Sequence, residues 1–249
     1  MESHLIRRQS LSDEVKKVLK EYIYSMDPHE STKLPSENEI AQNYGVSRVT
    51  VRKVLDELEQ EGLIIRIHGR GTFVNSVATQ MNVSLIPAKD YAQIIKDSGN
   101  HPDVKLLRCQ SEFPSKEVQR GLNLSSEEKV LRVEKIFSSD GYPSLLCVDL
   151  IPVSLVGEKI NQSLWAINST FKVLRNCFHI DVKRDCISFE AVSKRAAKKE
   201  TKACELLDAD ALLKISGYCY DQDNKPVSYG VDYYDTKYIR YHMVRNAEY

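Results

Sequence analysis

The residues of this chain best suited to chemistry are cations at the start of one short stretch. In "GVSRVTVRKVLDELEQEGLI", residues 45–64, Arg48, Arg52 and Lys53 gather early while Asp56, Glu57, Glu59 and Glu61 crowd the end. Val51, Val54, Leu55 and Leu58 recur at i, i+3, i+4 and i+7, which predicts a helix over 48–61 with one buried stripe. Ser47 can cap its first turn, and Gly62 can close it in the left-handed conformation. The charges run against the helix dipole, whose N-terminal end is positive. Local stability does not explain that order. A polyanion at the N-terminal half does, because phosphates are drawn to the cations and to the exposed N–H groups of the first turn.

A second cationic group follows in "LIIRIHGRGTFVN", which carries Arg66, His68 and Arg70 with no acid between them. Its β-branched residues flank His68-Gly69-Arg70-Gly71, the pattern of a tight hairpin with glycines at positive φ. A hairpin behind such a helix is a wing, and its tip, carrying Arg66, His68 and Arg70, can follow a DNA backbone or enter a minor groove. His68 fits a plain turn position as well.

The elements that must position these groups lie upstream. "SLSDEVKKVLKEYIYSMD" has Leu11, Val15, Val18, Leu19, Tyr22 and Ile23 at helical spacing. It predicts a first helix, capped by Ser10 or Ser12 and ending near Asp27-Pro28. In "LPSENEIAQNYGVS", Ser36 and Glu39 form a capping box that starts a short helix over 37–44, and Gly45 turns the chain into the next. A short helix, a tight turn and a longer helix make a helix-turn-helix, whose second helix enters a major groove. Arg48 and Arg52, four apart and opposite the apolar stripe, then present two forked donors to base edges and phosphates.

Composition sets limits on this reading. The chain has 249 residues, enough for two domains, and its 42% hydrophobic and 28% charged content is that of an ordinary soluble protein. Net charge is zero, and residues 1–76 hold eleven Lys/Arg against twelve Asp/Glu, so only a local patch could bind DNA. No apolar run approaches the ~20 residues needed to span a bilayer and no signal-peptide core is seen, so a cytoplasmic chain without membrane contact is expected. The six cysteines (109, 147, 177, 186, 204, 219) form no C-x-x-C pair, and no histidine stands at zinc-finger spacing. Reduced, mostly buried thiols and no metal or cofactor are expected. Nor is there a P-loop, a G-x-G-x-x-G or a G-x-S-x-G, so no enzyme site is visible.

Beyond the wing, 77–84 reads as an extended linker. Strands follow at about 104–112, 130–138, 145–151, 186–193, 212–221 and 226–234, with helices near 88–98, 115–121, 154–158, 163–175 and 194–206. Adjacent strands joined by "SSDGYP" and "DQDNKP" imply antiparallel hairpins, hence an α+β fold.

Residues 10–76 resemble the winged helix-turn-helix of GntR-type bacterial repressors. "LPSENEIAQNYGVSRVTVRKVLDELEQEGLI" and "GRGTFV" match that family's pattern almost throughout. The resemblance implies DNA contacts from Ser36, Asn38, Ser47, Arg48, Thr50, Arg52, His68, Gly69 and Arg70. Asn38 stands where the family often has arginine, and a shorter amide reader changes the operator that is read.

Residues of about 85–245 resemble the UTRA effector domain of the HutC subfamily, with its chorismate-lyase-like antiparallel sheet. The matching stretches are "VLRVEKIFSSDGYPSLLCVDLIP", "NQSLW" and "YCYDQDNKPVSYGVDYYDTKY". Such proteins are homodimers whose effector sits in a pocket on the sheet and changes the spacing of the DNA-binding heads. The pocket positions carry over to Lys135 and Phe137 where sugar-phosphate sensors have R-x-R, and to Cys147 and Ser228 where they have glutamates. The Ser-x-Tyr pair becomes Ser163 and Trp165, the final tyrosine is kept as Tyr234, and the phosphate loop becomes "LIPAKDY". Arginine forks onto phosphate and lysine does not, so a conventionally bound sugar phosphate is not expected. Rings at 137, 165 and 234 favour an effector with a flat or apolar body. Phe137, Trp165 and Cys147 suit core packing equally well. Asp149 shares a strand face with Cys147, and Asp232 with Ser228 and Tyr234. Facing the pocket they would favour a cationic ligand, although a solvated or paired surface site suits two acids better.

The domains expected are 1–76, a winged helix-turn-helix; 77–84, a linker; and 85–249, an effector-binding and dimerisation domain. The function expected is that of a homodimeric repressor on a pseudo-palindromic double-stranded operator, with its affinity modulated by a small-molecule metabolite. The alternatives are an effector-independent DNA-binding protein with a degenerate pocket and a chorismate-lyase-like enzyme.

Overall fold

Three helices form because each carries one apolar stripe that the other two bury. They are α1 (Leu11–Ser25), α2 (Glu37–Tyr44) and α3 (Arg48–Gln60). Val15, Leu19 and Ile23 of α1, Ile40 and Ala41 of α2, and Val51, Val54, Leu55 and Leu58 of α3 share one core with Leu34, Leu63, Ile64 and Val74. The computed structural model describes residues 11–26, 32–76 and 90–241. Ser10, Asp27-Pro28 and the expected linker at 77–84 therefore lie outside the described residues. The chain divides into two units, one within Met1–Ala88 and the other over Lys89–Arg240.

Local signals set the helix ends. Ser36 accepts from Glu39 N–H at 3.3 Å while Glu39 accepts from Ser36 N–H at 2.7 Å, which completes the capping box of α2. Gly45, at φ 64°, closes α2, and Ser47 Oγ accepts from Thr50 N–H at 3.1 Å to open α3. At the far end Gly62 takes φ 73° and Leu63 N–H reaches Leu58 O at 3.0 Å, a Schellman closure. Strands β1 (Ile64–Ile67) and β2 (Gly71–Val74) pair antiparallel around a three-residue tip, with Gly69 at φ 72° and Gly71 at φ 114°. The segment before α2 also joins this ribbon, through Leu34 N–H to Thr72 O at 2.9 Å and Val74 N–H to Thr32 O at 2.6 Å.

The reversed charge order of α3 has a tertiary explanation. Lys16 of α1 lies 2.6 Å from Glu57 and 3.0 Å from Glu61, and Lys20 lies 2.5 Å from Glu61. Arg66 of β1 holds Asp56 at 2.6 Å and approaches Glu59 at 3.7 Å. All four acids of the C-terminal half are thus matched by cations of other elements.

The second unit is built on a six-stranded antiparallel sheet in the order β3–β4–β5–β8–β7–β6. The strands are β3 (Pro102–Glu112), β4 (Val130–Ser139), β5 (Tyr142–Pro152), β6 (Arg184–Ser193), β7 (Ala211–Tyr220) and β8 (Pro226–Tyr234). The helices are α4 (Tyr91–Asp97), α5 (Lys116–Gly121), α6 (Val153–Val156), α7 (Gln162–Ile167), α8 (Thr170–Phe178) and α9 (Lys194–Glu200), with a 3-10 turn at Lys202–Leu206. The helix expected over 163–175 is two, because extended Asn168 (φ −113°, ψ 151°) breaks it and Ser169 caps Lys172 N–H to start α8. That expected over 194–206 likewise stops at extended Thr201, whose hydroxyl donates to Glu134 at 3.0 Å.

The two sheet faces bury different clusters. Ile136, Leu146, Val148, Leu150, Val231 and Tyr233 pack with Val118 of α5, Ala197 of α9 and the 3-10 turn. Leu131, Val133 and Ile151 of the other face pack with Val156, Trp165, Val173 and Leu174. Among the described residues the outer strand β6 pairs only with β7 and is exposed along most of its length on both faces.

Candidate nucleic-acid interface and effector cavity

On α3 the buried stripe fixes what points outward. At about 100° per residue, Val49, Lys53, Asp56 and Gln60 lie opposite it, with Arg48 and Arg52 on the flank. Arg48 is exposed and makes no ion pair among the described residues. Val49 is 80% exposed, an apolar side chain on a polar face that the sequence reading passed over.

Arg52 behaves differently. Its guanidinium forks onto Glu37 of α2, with Nε–H donating at 3.3 Å and Nη2–H at 2.9 Å. That hydrogen-bonded fork holds the Glu37 carboxyl below its usual range. The two arginines are therefore not equivalent free donors: Arg48 is available, and Arg52 is held at the α2–α3 junction. Arg66 is not at the wing tip but on β1, where it donates to Asp56 at 2.6 Å and to Arg52 O at 3.2 Å. His68, Gly69 and Arg70 form the exposed tip, with the Arg70 guanidinium 6.0 Å from the centre of the Phe73 ring. Ser36 and Ser47 use their oxygens as helix caps, and Thr50 Oγ1 lies 2.9 Å from Ser47 Oγ. Asn38 is exposed on α2.

The clamp on Arg52 leads to a measurable expectation. Glu37→Gln removes a negative charge beside the groove and releases a guanidinium to phosphate. The plot of log K against log salt on a non-operator duplex should steepen by about 0.9, the contribution of one added phosphate contact. An unchanged slope would show that Arg52 stays where it is without Glu37.

In the sheet unit, Lys135 and Phe137 of β4, Cys147 and Asp149 of β5, Asp90 and Tyr91 at the start of α4, and Ser169, Thr170 and Phe171 at the start of α8 line a cavity of about 30 Å³. The structure brings Lys135, Phe137 and Cys147 together there. It does not bring Ser163 or Trp165. Ser163 is exposed, and Trp165 is buried in the core, stacked on Phe178 at 6.3 Å between ring centres. The Ser-x-aromatic pair at the cavity is Ser169 and Phe171, six positions later, a repeat of the pattern that spacing alone could not separate. Ser228 and Tyr234 are buried on β8 and do not line the cavity.

Asp149 and Asp232 are not surface acids; both are buried. Asp149 Oδ2 accepts from the Thr170 hydroxyl and from Cys147 Sγ at 3.4 Å. Asp232, the cross-strand neighbour of Cys147, accepts from Tyr91 Oη at 2.6 Å through Oδ2, while its Oδ1 has no hydrogen-bond partner among the described residues. Lys135 Nζ donates to Asn168 O at 2.6 Å. Burial pushes the Asp149 carboxyl up, and burial followed by the charge of Asp149 pushes Asp232 up to about 7. Burial raises the Cys147 thiol well above its usual range, so it is no nucleophile at neutral pH.

With its folded-state value above the unfolded one, Asp232 keeps a proton in the folded chain that the unfolded chain has already released. Stability therefore falls as pH rises from about 4 to about 7 and is flat beyond. Trp165 is the chain's one tryptophan and reports on this unit. Its emission melt should drop by a few degrees more between pH 5 and pH 8 in the wild type than in Asp232→Asn. Parallel curves would remove Asp232 as the source.

A winged helix-turn-helix and an antiparallel-sheet effector domain in one chain define a DNA-binding transcriptional regulator. The bacterial regulatory protein gntR-family model matches residues 11–74 and the UTRA domain model matches residues 97–240. The chain belongs to the GntR family, in its UTRA-containing HutC branch. It is 26% identical over 220 residues to the HTH-type transcriptional regulator YurK of Bacillus subtilis strain 168, covering 88% of this chain and 86% of that protein. It is 32% identical over 130 residues to the HTH-type transcriptional repressor NagR of the same organism, covering 52% of each. The crystal structure of the possible transcriptional regulator YydK, also from Bacillus subtilis, shares the fold at a TM-score of 0.74 and 19% identity, with 96% of this chain and all of that one covered. Among the described residues no helix is long and apolar enough to cross a membrane.

Proposed function

We propose that the chain is a cytoplasmic homodimeric repressor. It binds a pseudo-palindromic operator through two winged helices and changes its affinity when a metabolite occupies the cavity of the sheet domain. The observation that carries the reading is the N-terminal half of α3, where Arg48 makes no ion pair among the described residues beside the exposed Val49 and the acids of the same helix are matched by Lys16, Lys20 and Arg66. Arginine forks onto guanine, and an exposed valine can touch a thymine methyl. The repressor reading is supported by the named relative NagR. On this reading residues 1–76 read DNA, 77–84 connect, and 85–249 sense and dimerise.

Strand β6 supports the dimer, because ten residues of edge strand with both faces exposed need cover. The cavity supports a sensor whose ligand is not a conventionally held sugar phosphate, since among the described residues its one cation, Lys135, already donates to Asn168 O and no arginine lines it. At about 30 Å³ it takes a ligand's head group, and the body lies over the rim at the half-exposed Phe171.

The experiment is selection of a duplex from a random library by the full-length chain, followed by gel-shift titration. Two half-sites should emerge, and deleting one should weaken binding at least tenfold, since a two-fold dimer mirrors its site. Failure to enrich any sequence overturns the operator reading, and indifference to half-site deletion overturns the dimer.

A further inference from the structure

The effector cavity has a charge imbalance that specifies part of its ligand, provided the reading above is right that the effector binds there. Asp149 and Asp232 put two buried carboxylates beside one buried lysine. Lys135 offsets at most one of them and its Nζ is engaged by Asn168 O, so without a further cation Asp232 stays neutral by keeping its proton up to about pH 7. The internal donors reach only one oxygen of each acid: Thr170 and Cys147 use Asp149 Oδ2, and Tyr91 uses Asp232 Oδ2. Asp232 Oδ1 is buried with no hydrogen-bond partner among the described residues. A buried polar oxygen left unpaired costs free energy, and a buried carboxylate without a cation costs more. Space is kept at the other acid too. Residue 230, the cross-strand neighbour of Asp149, is glycine and puts no side chain beside Asp149 Oδ1.

The apolar part of the lining fits the same ligand. Tyr91 and Phe137 meet edge to face with ring centres 5.3 Å apart, and Phe171 completes the wall. Aromatic faces attract cations, most strongly where water is excluded. A volume of about 30 Å³ admits one or two water-sized groups, which is the size of an ammonium head.

We propose that the effector carries a primary ammonium group, held by the Asp149 carboxylate within the rings of Tyr91, Phe137 and Phe171, with Asp232 behind Tyr91 as the second acid. Its N–H donors supply what the second Asp149 oxygen lacks, and its positive charge balances the second acid. Tyr91 couples Asp232 to the cavity, since it lines the wall while its hydroxyl donates to Asp232.

The test uses the full-length chain and the melting of Trp165 emission, with ethylammonium chloride as the probe. Sodium chloride at equal ionic strength, ethanol, sodium propionate and tetramethylammonium chloride are the comparisons. Ethylammonium should raise the midpoint saturably, by about 3–6 °C at ten times its Kd, and the comparisons should not. Asp149→Asn should weaken the ethylammonium effect at least tenfold; should that variant fail to fold, the wild-type series decides alone. A shift from propionate in place of ethylammonium sinks the ammonium and leaves a ligand-binding cavity standing. An equal shift from tetramethylammonium sinks the hydrogen-bonded head group, and no shift above sodium chloride sinks the proposal. None of these results touches operator binding, which the gel shift without amine reads separately.

Discussion

Arg48→Ala should lower operator affinity about 10- to 100-fold, the 1–3 kcal/mol carried by a forked contact to a guanine edge. The side chain sits at the first position of α3, exposed and without an ion pair among the described residues, so removing it strands no buried group there. Alanine is also the better helix former, and the helical signal and melting should not change. The comparison with Arg48→Lys separates charge from shape. Lysine keeps attraction to phosphate but lacks the fork, so it should restore binding to random duplexes and leave operator preference reduced. Full operator affinity in Arg48→Ala would place base reading elsewhere on the helix. Arg52→Ala should behave less simply, because it also leaves Glu37 without its partner.

Leu55→Ala should remove about 2–5 kcal/mol from the DNA-binding unit. Leu55 is 1% exposed and packs with residues of α1, α2 and β1, so the lost volume cannot be refilled by one neighbour. A unit of this size has a small margin, and at growth temperature much of it should be unfolded. Operator binding should collapse while the Trp165 melt of the sheet unit is unchanged. Leu55→Met, nearly equal in volume, should cost under about 1.5 kcal/mol and keep binding. Equal loss in both variants would mean that Leu55 acts through something other than filled space.

What could be read in advance was local. The stripe of Val51, Val54, Leu55 and Leu58, the capping box of Ser36 and Glu39 and the glycines at 45, 62 and 69 depend on neighbours within a turn or two, and the structure has each as read. What could not be read was which distant partner a charge finds. Glu37 and Arg52 are fifteen residues apart, and nothing in their spacing distinguishes a clamp from two free groups. Arg66 was misplaced to the tip because the alternation of a strand does not reveal that Asp56 and Glu59 lie beneath it. The sheet domain shows the same division. Its strands and their hairpins were legible, but the burial of Asp149 and Asp232 comes from α4 and α8 closing over β5 and β8, which joins residues up to 141 positions apart. Trp165 was drawn toward the pocket by a Ser-x-aromatic pattern that recurs at Ser169 and Phe171, and only packing against Phe178 tells them apart.

Strand β6 has one more implication. Among the described residues its outer edge pairs with no other strand and carries the exposed Phe189, a combination that seeds cross-β growth when nothing caps it. A chain whose edge stayed bare would face precipitation, and a lesion there should surface as inclusion bodies before it surfaces as weak DNA binding.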